Sequence, residues 1–220
     1  MRRDVVVFGA GGLGREVVEL LRDCVKAGEP WAIEGFITDD AERWGESLNG
    51  LPVLGGREWL REHPATAVVL GVGSSVVRAR LHSAIGALGS AMPVIVHPSV
   101  VRSASCDLDS GTVVAAGTIL TANVQLGPAT FINLGCTIGH DVITAAAVTL
   151  SPGVHVSGNV RFGAGSDVGT GAVFVQGLAI GAWTTIGAGA VVTRDLPDNC
   201  TAVGVPARVI KTQEVGWQLR

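Results

Sequence analysis

The feature that most constrains the fold of this chain is an aliphatic residue that recurs at every sixth position of its second half. In steps of six from Leu108 to Val192, fourteen of the fifteen positions are apolar, and only Thr144 is polar. This period is typical of a β-helix of hexapeptide repeats, in which six residues form a short strand and a corner. Three repeats make a triangular coil of about 18 residues, so the series predicts about five coils. The aliphatic side chains would point inward and stack at the spacing of neighbouring strands, about 4.8 Å.

The composition of the chain agrees with a thin aliphatic prism. Its 220 residues include 31 glycines and 47% hydrophobic residues, but only 5% aromatic ones, and we expect large aromatic rings not to fit inside. Glycine follows the aliphatic position in six repeats, where a corner needs a left-handed backbone or leaves no room for a Cβ. The net charge of −3 and the lack of a basic run argue against a nucleic-acid partner. No apolar stretch reaches the roughly 20 residues of a membrane helix.

Cysteine usage and the start of the chain suggest a compartment. Cys24, Cys106, Cys136 and Cys200 show neither a CxxC pair nor zinc-ligand spacing, so we expect buried, reduced thiols and no metal site. The apolar run at 5–8 is interrupted by glycines and charged residues, unlike a secretory leader. We therefore expect a cytoplasmic protein.

Residues 1–96 follow a different pattern, in which strands alternate with helices. We predict strands at 5–8, 33–38, 67–72 and 94–96, and helices at 16–24, 58–63 and 76–88. This order predicts a small Rossmann-like α/β domain with a parallel sheet. The β-helix would then occupy residues 97–211, followed by a C-terminal tail at 212–220.

A glycine-rich segment links the first predicted strand to the first helix. Gly9, Gly11 and Gly14 fit G-x-G-x-x-G, a pattern whose helix N-terminus can bind a phosphate. Asp39 and Asp40 end the second strand, where a carboxylate can bind a ribose hydroxyl. Alone, the pattern permits a dinucleotide and a nicotinamide oxidoreductase. We consider that function the least favoured, because a domain of this size has no partner for hydride transfer other than a β-helix.

Several segments of the chain resemble one family, the hexapeptide-repeat acyltransferases. They are Phe131–Asp141 (Phe-Ile-Asn-Leu-Gly-Cys-Thr-Ile-Gly-His-Asp), Leu150–Gly153, Val156–Val160, Ile186–Asp195 and Gly204–Arg208. The resemblance is to the group that acetylates sialic acids and bacterial nucleotide-linked amino sugars, and it extends over residues 4–211. It implies a left-handed parallel β-helix, acetyl-CoA as co-substrate and a homotrimer with active sites between neighbouring prisms.

The resemblance also implies catalytic roles for three residues. His140 would be the general base that takes a proton from the acceptor, because a neutral imidazole can accept one near pH 7. Asp141 would fix the tautomer of His140 and stabilise its imidazolium form. Gly158 lies 18 positions after His140, hence one coil further on the same corner. We expect its backbone N–H to face the thioester carbonyl.

The same resemblance places the two substrates. A sugar nucleotide would be bound by the N-terminal domain and one residue of the β-helix, namely Gly9, Gly11, Gly12, Asp39, Asp40, Gly73 and Asn133. Coenzyme A would follow the groove of the last coils, in contact with Thr149, Gly158, Gln176, Gly187, Pro206, Arg208 and Lys211. Arg208 and Lys211 supply the cations that its adenosine 3′-phosphate needs.

Two positions depart from the family pattern and leave the acceptor open. Related sequences carry a second histidine nine residues after the catalytic one, where this chain has Thr149; a threonine donates a hydrogen bond but is no base. His155 is expected on the next face of the prism, and Thr144-Ala145 stands where the pattern has Ile-Gly. We favour N-acetylation of a nucleotide-linked amino sugar. O-acetylation of a sialic acid or a related sugar, and an inactive scaffold or sugar-nucleotide-binding protein, remain alternatives.

Overall fold

The computed structural model describes residues 2–219 and divides into two compact units after Pro98. The first unit alternates strands with helices. Its elements are β1 (Arg3–Phe8), α1 (Gly12–Lys26), β2 (Trp31–Ile37), a 3-10 turn (Ala41–Arg43), β3 (Ser47–Leu48), β4 (Leu51–Gly55), α2 (Glu58–Glu62), β5 (Ala67–Leu70), α3 (Ser75–Ala87) and β6 (Ile95–Val96).

The sheet of the first unit has the order β3-β4-β2-β1-β5. Its core strand β1 is fully buried from Val5 to Val7, and α1 buries Val18 and Leu21. The sheet is parallel except at one edge, where β3 runs antiparallel to β4, so the prediction of a wholly parallel sheet is wrong there. The strand predicted at 94–96 is present as β6 but is not part of this sheet.

The second unit is a β-helix of two-residue strands that begin at every sixth residue. The strands are β7 (Val101–Arg102), β8 (Asp107–Leu108), β9 (Val113–Val114), β10 (Ile119–Leu120), β11 (Gln125–Leu126), β12 (Phe131–Ile132), β13 (Thr137–Ile138), β14 (Ile143–Thr144), β15 (Thr149–Leu150), β16 (His155–Val156), β17 (Arg161–Phe162), β18 (Asp167–Val168), β19 (Val173–Phe174), β20 (Ala179–Ile180), β21 (Thr185–Ile186) and β22 (Val191–Val192). They are followed by β23 (Cys200–Val203), β24 (Arg208–Thr212) and a 3-10 turn (Trp217–Leu219).

Each short strand pairs in parallel with the strand 18 residues away, which builds three faces. Thr137, for example, pairs with Ile119 on one side and His155 on the other. The second residue of every strand from β9 to β22 is buried, as the six-residue period predicts, whereas Leu108 in the first coil is half-buried. The fold is therefore the expected α/β domain followed by a β-helix.

The corners of the β-helix use glycine in two ways. The third residue after each inward position has a positive φ at every corner from Gly111 to Gly189, and eight of these fourteen residues are glycine. The glycine that directly follows an inward residue has another task. A Cβ on Gly139 would lie 2.6 Å from the backbone N of Gly158, and one on Gly169 would lie 2.5 Å from that of Ala188. Close approach between coils, not backbone conformation, therefore requires glycine at that second position.

Two details of the interior differ from expectation. Phe162 and Phe174 occupy inward positions and are buried edge to face, with ring centroids 5.1 Å apart, so the expectation that large aromatic rings do not fit is wrong. Thr144 is also buried, and its Oγ1 accepts a hydrogen bond from the backbone N of Gly127 at 3.0 Å. It also lies 3.1 Å from Oγ1 of Thr130. The hydroxyl is thereby satisfied inside an aliphatic stack.

The four cysteines are buried and free, as predicted. Within the described residues, none of the helices has the length and apolarity needed to cross a bilayer. Residues 2–219 also contain no group of three or more His, Cys, Asp or Glu side chains arranged to hold a metal ion.

Candidate active site

A histidine and a carboxylate are joined at one corner of the β-helix. His140 and Asp141 follow β13, and Asp141 takes the left-handed corner position with a φ of 59°. Nδ1 of His140 lies 2.8 Å from Oδ2 of Asp141. An ionised carboxylate can only accept, so Nδ1 carries the proton and the neutral ring keeps its lone pair on Nε2. The side chains are 52% and 45% exposed, so this lone pair can meet a substrate.

The charge of Asp141 is stabilised by two donors. Hydrogen bonds from His140 and then from Nδ2 of Asn123, 3.0 Å from Oδ1, hold the pKa of the Asp141 carboxyl below its usual value. Asp141 therefore stays ionised over the whole neutral range, in the form that orients an imidazole and stabilises its protonated state.

Gly158 lies one coil beyond His140 and is packed against its ring. A Cβ on Gly158 would lie 2.5 Å from Cε1 and 2.8 Å from Cδ2 of His140, so only glycine leaves the ring in place. The Gly158 carbonyl accepts a hydrogen bond from the N–H of Gly177, but the described residues provide no acceptor for the N–H of buried Gly158. An unpaired backbone donor at this corner is suited to an oxyanion.

Asn133 and Thr149 belong to the preceding corner and face. Asn133 follows β12, and its Oδ1 accepts a hydrogen bond from the N–H of Leu134 at 2.8 Å. Thr149 is the outward residue of β15 and is 8% exposed. His155 lies on another face, that of β13 and β16, so it does not replace Thr149, as predicted. Its Nδ1 lies 2.8 Å from Oγ1 of Thr137.

The glycine loop after β1 contains two kinds of glycine: those where a side chain would clash with neighbouring backbone, and those where a side chain would meet no atom. A Cβ on Gly9, where φ is 118°, would lie 2.6 Å from the carbonyl oxygen of Gly71, and one on Gly14 would clash with the Gly9 carbonyl. At Gly11 and Gly12, by contrast, an added Cβ would meet no atom within 4 Å. Gly11 caps α1 without a side chain, so the first-turn N–H groups remain for an anion.

The carboxylates after β2 have protein partners. Oδ1 of Asp39 accepts a hydrogen bond from Nε of Arg57 at 3.1 Å, and Asp40 caps the following 3-10 turn through the N–H of Glu42. Arg43, on that turn, donates from Nη1 to the carbonyl oxygen of Ala10 at 2.7 Å. The acidic segment and the glycine loop are thus tied together in the first unit.

A buried arginine holds the third loop of this unit. Arg78 on α3 is 1% exposed and donates from Nη1 to the carbonyl oxygens of Val72 and Gly73, at 2.9 and 3.2 Å. Ser74 caps α3 by accepting the N–H of Val77. The loop that contains Gly73 is therefore fixed from both ends.

The residues expected to contact coenzyme A are spread over the last coils. Gln176 is exposed and continues the corner of His140 and Gly158, being 18 residues after Gly158. Gly187 has a packing role, since a Cβ there would lie 2.8 Å from Cγ1 of Val203. Pro206 follows a cis peptide bond, and Arg208 and Lys211 are exposed on β24.

Comparisons with known proteins place the chain in a family. Residues 4–85 match the model of the PglD N-terminal domain. A histidine-to-asparagine variant of perosamine N-acetyltransferase from Caulobacter crescentus, in complex with CoA and GDP-perosamine, is 34% identical, with 94% of this chain and 97% of that one covered and a TM-score of 0.87. The acetyltransferase domain of PglB from Neisseria gonorrhoeae, in complex with acetyl coenzyme A, is 35% identical, with coverages of 96% and 100% and a TM-score of 0.86. WeeI from Acinetobacter baumannii is 31% identical, with coverages of 94% and 100% and a TM-score of 0.83. No curated protein matches the sequence significantly.

The chain belongs to the hexapeptide-repeat nucleotide-amino-sugar acetyltransferases. The resemblance inferred from its motifs is thereby confirmed, and the protein is an acyltransferase that uses acetyl-CoA.

Three residues that were not predicted from the sequence also shape the sites of this acetyltransferase. Arg78 shares a helix face with Leu81 and Ile85. A charged residue on a face that is predicted to be buried was the signal that could have identified it. Asn123 lies 18 residues before Asp141, and the coil length would have pointed to it. For Arg43, the sequence carries no signal, because its contact with the glycine loop depends on tertiary structure.

Proposed function

We propose that the protein transfers the acetyl group of acetyl-CoA to the amino group of a nucleotide-linked amino sugar, with His140 as general base assisted by Asp141. The observation that carries the proposal is the hydrogen bond between Nδ1 of His140 and the Asp141 carboxylate, with the unpaired N–H of Gly158 one coil away. It occurs on a fold shared over nearly its full length with sugar N-acetyltransferases.

The reaction follows from the chemistry of these groups. The amine nitrogen attacks the thioester carbonyl carbon while Nε2 of His140 takes one of its protons. The N–H of Gly158 donates to the oxyanion that forms on the carbonyl oxygen. Collapse of this intermediate breaks the C–S bond, completes the amide and releases the coenzyme A thiolate, to which His140 returns the proton. Asp141 stabilises the intervening imidazolium.

The acceptor would be held through its nucleotide by the first unit. The free N–H groups at Gly11 and Gly12 suit a phosphate, and Asp39 and Asp40 suit a ribose hydroxyl. Gly9 and Gly73 are also proposed for the site of this unit, and Asn133 is proposed as a substrate-binding residue of the β-helix. Two solved structures of one relative support a nucleotide-linked acceptor, since the Caulobacter enzyme is bound to GDP-perosamine in both.

Coenzyme A would occupy the last coils of the β-helix. Arg208 and Lys211 are exposed cations on one strand, as a 3′-phosphate requires, and Gln176 continues the corner of the catalytic residues. Thr149, Gly187 and Pro206 complete the proposed set. The solved structures of relatives with CoA or acetyl-CoA support this substrate.

A homotrimer is the assembly that we propose. The face formed by β7, β10, β13, β16, β19 and β22 carries exposed aliphatic side chains at Val101, Ile119 and Val173, with exposures of 64%, 41% and 36%. A second copy would cover them, and cyclic symmetry then gives three equivalent sites. Light scattering on the eluting protein at micromolar concentration is expected to give three times 22.5 kDa, and a monomeric mass would contradict the proposal.

We also propose that the enzyme acts in the cytoplasm. Its four free, buried cysteines form no disulfide, which agrees with a reducing compartment. Cell fractionation that recovers the protein with cytoplasmic markers would support this location, and recovery with periplasmic or external markers would contradict it.

The acceptor is tested by a panel of UDP-, GDP- and dTDP-linked 4-amino sugars with acetyl-CoA, read by release of free thiol. We expect one or a few members to release thiol well above the hydrolysis background and to yield an amide by mass spectrometry and NMR. The matched 4-hydroxy sugars serve as controls. Acetylation of a hydroxyl only, as in O-acetylation of a sialic acid, or nucleotide-sugar binding without any thiol release would contradict N-acetyl transfer.

A further inference from the structure

Asp141 is linked by its side chain to the preceding coil. Asn123 lies 18 residues earlier at the same corner position, with φ values of 57° and 59° for the two residues. Nδ2 of Asn123 donates to Oδ1 of Asp141 at 3.0 Å, while Oδ2 lies 2.8 Å from Nδ1 of His140. The amide can face the carboxylate only with its NH₂ group, because an ionised carboxylate has no proton to donate. Each oxygen of Asp141 therefore has one fixed donor.

Asn123 is itself held in place by hydrogen bonds of its backbone. The backbone N–H of Asn123 donates to Oγ of Ser105 at 2.9 Å, and that of Asp141 donates to the carbonyl oxygen of Ala122 at 2.9 Å. Oγ of Ser105 in turn lies 2.9 Å from Oγ of Ser103. The hydrogen-bonded chain thus runs over three coils and ends at the imidazole.

We propose that Asn123 is a positioning residue for acetyl transfer. Its side chain keeps the Asp141 carboxylate turned towards Nδ1 of His140. A carboxylate that is nearly half exposed can rotate and exchange its partner for water. With Oδ1 held by Asn123, rotation breaks two hydrogen bonds instead of one, so the imidazole keeps its tautomer and its orientation. The chemical part of this inference rests on the proposed function, whereas the coupling between the side chains does not.

A role in the turn alone is the competing explanation, because asparagine is one of the few residues other than glycine that adopt a left-handed φ readily. Asn159 provides the matched comparison. It has the same corner position with a φ of 59°, one coil after Asp141, and among residues 2–219 its side chain has no hydrogen bond. The side chains of Asn123 and Asn159 carry no charge. The titratable group whose charge acts on Asp141 is that of His140.

Two substitutions separate the roles. Asn123→Gly keeps the left-handed turn and removes the amide, and Asn123→Asp keeps the size but replaces the donor with a second negative charge. The assay uses the nucleotide-linked amino sugar that the panel described above identifies as the acceptor. We expect Asn123→Gly to lower kcat about 3- to 10-fold and to keep KM for acetyl-CoA within about twofold of the wild-type value. Asn159→Gly should keep the wild-type kcat.

The second readout is the ¹⁵N NMR spectrum of the His140 imidazole in the full-length protein without substrates, which reports which ring nitrogen carries the proton, with the resonances assigned by their loss in His140→Ala. Wild type should show the Nδ1–H tautomer that the contact with Asp141 requires. Asn123→Gly and Asn123→Asp should both raise the Nε2–H fraction, towards that of Asp141→Asn, and Asn159→Gly should leave it unchanged. A wild-type kcat for Asn123→Gly, or an unchanged tautomer in both Asn123 variants, would overturn the proposal. If no nucleotide sugar is acetylated by the wild type, the proposed function fails, while the tautomer still decides the coupling.

Discussion

The substitution Gly158→Ala tests the catalytic corner without removing any catalytic group. The new Cβ would lie 2.5 Å from Cε1 of His140, whereas non-bonded carbon atoms prefer about 3.5 Å or more. The imidazole must therefore shift by about 1 Å, and a misplacement of this size can cost about 100-fold in rate. The backbone N–H of residue 158 is retained, so the proposed oxyanion donor remains.

The cost in stability should be small because the obstacle is an exposed side chain. His140 is 52% exposed and can swing into solvent, so we expect Tm to fall by less than about 3 °C. Gly139→Ala is the matched contrast, since its Cβ would lie 2.6 and 2.7 Å from backbone atoms of Gly158 and Ser157, which cannot move aside. That variant should lose about 1–3 kcal/mol or more, with a clearly lower Tm.

The assay is steady-state thiol release together with thermal unfolding for both variants. Gly158→Ala should lose about 100-fold in kcat at near-wild-type Tm, and adding it to His140→Ala should cause little further loss, because the two act through one group. Wild-type turnover by Gly158→Ala, or a loss of Tm equal to that of Gly139→Ala, would refute the assignment of this corner.

Three further predictions concern the buried threonines, the cysteines and the pH dependence of stability. Thr144→Val should change the free energy of unfolding in urea by less than about 1 kcal/mol, because the N–H of Gly127 also bonds the backbone oxygen of residue 144 and Oγ1 of Thr130 also donates to the carbonyl oxygen of Ala145; a loss of more than about 2 kcal/mol would contradict this. Burial raises the pKa of the Cys24 and Cys136 thiols to about 11, so these two thiols should resist iodoacetamide at pH 8 in the native protein by peptide mass mapping, and their labelling within minutes would contradict it. Hydrogen bonds from His140 and Asn123 lower the pKa of Asp141 below 3.8, so the stability that its ionised form contributes is present above pH 3.8 and is lost as the pH falls through the depressed value. The Tm difference between wild type and Asp141→Asn should vanish in that acid range, and a difference that grows there would contradict the sign.

The six-residue period was sufficient to predict the β-helix because each repeat packs only on its neighbours, so local sequence determines local structure. The same regularity allowed Gly158 to be placed one coil from His140 by adding 18. The hairpin of β3 and β4 was missed, although Asn49-Gly50 lies at its turn with φ values of 50° and 76°, and Asn-Gly is a strong hairpin signal. The strands on either side are short and carry no clear alternation.

The site residues were predictable only where a motif or the coil length identified them. His140 and Asp141 were identified by a motif and Gly158 by the coil length, and the structure brings the three together. The glycines were predicted as a class, but their division into left-handed corners and close approaches depends on which backbone lies one coil away. Contacts such as that of Arg43 with Ala10 join segments that are distant in sequence, and no local pattern reports them.

The central claim is that His140 is the base for acetyl transfer to an amine, and the turnover of His140→Ala tests it most directly. Wild type, His140→Ala and His63→Ala, a control that removes an exposed histidine from the first unit, are compared with acetyl-CoA and the best nucleotide-linked amino sugar. General-base catalysis contributes about 10²- to 10⁴-fold, so kcat of His140→Ala should fall by at least about 100-fold, while that of His63→Ala stays near wild type. A His140→Ala enzyme with near-wild-type turnover would contradict the account.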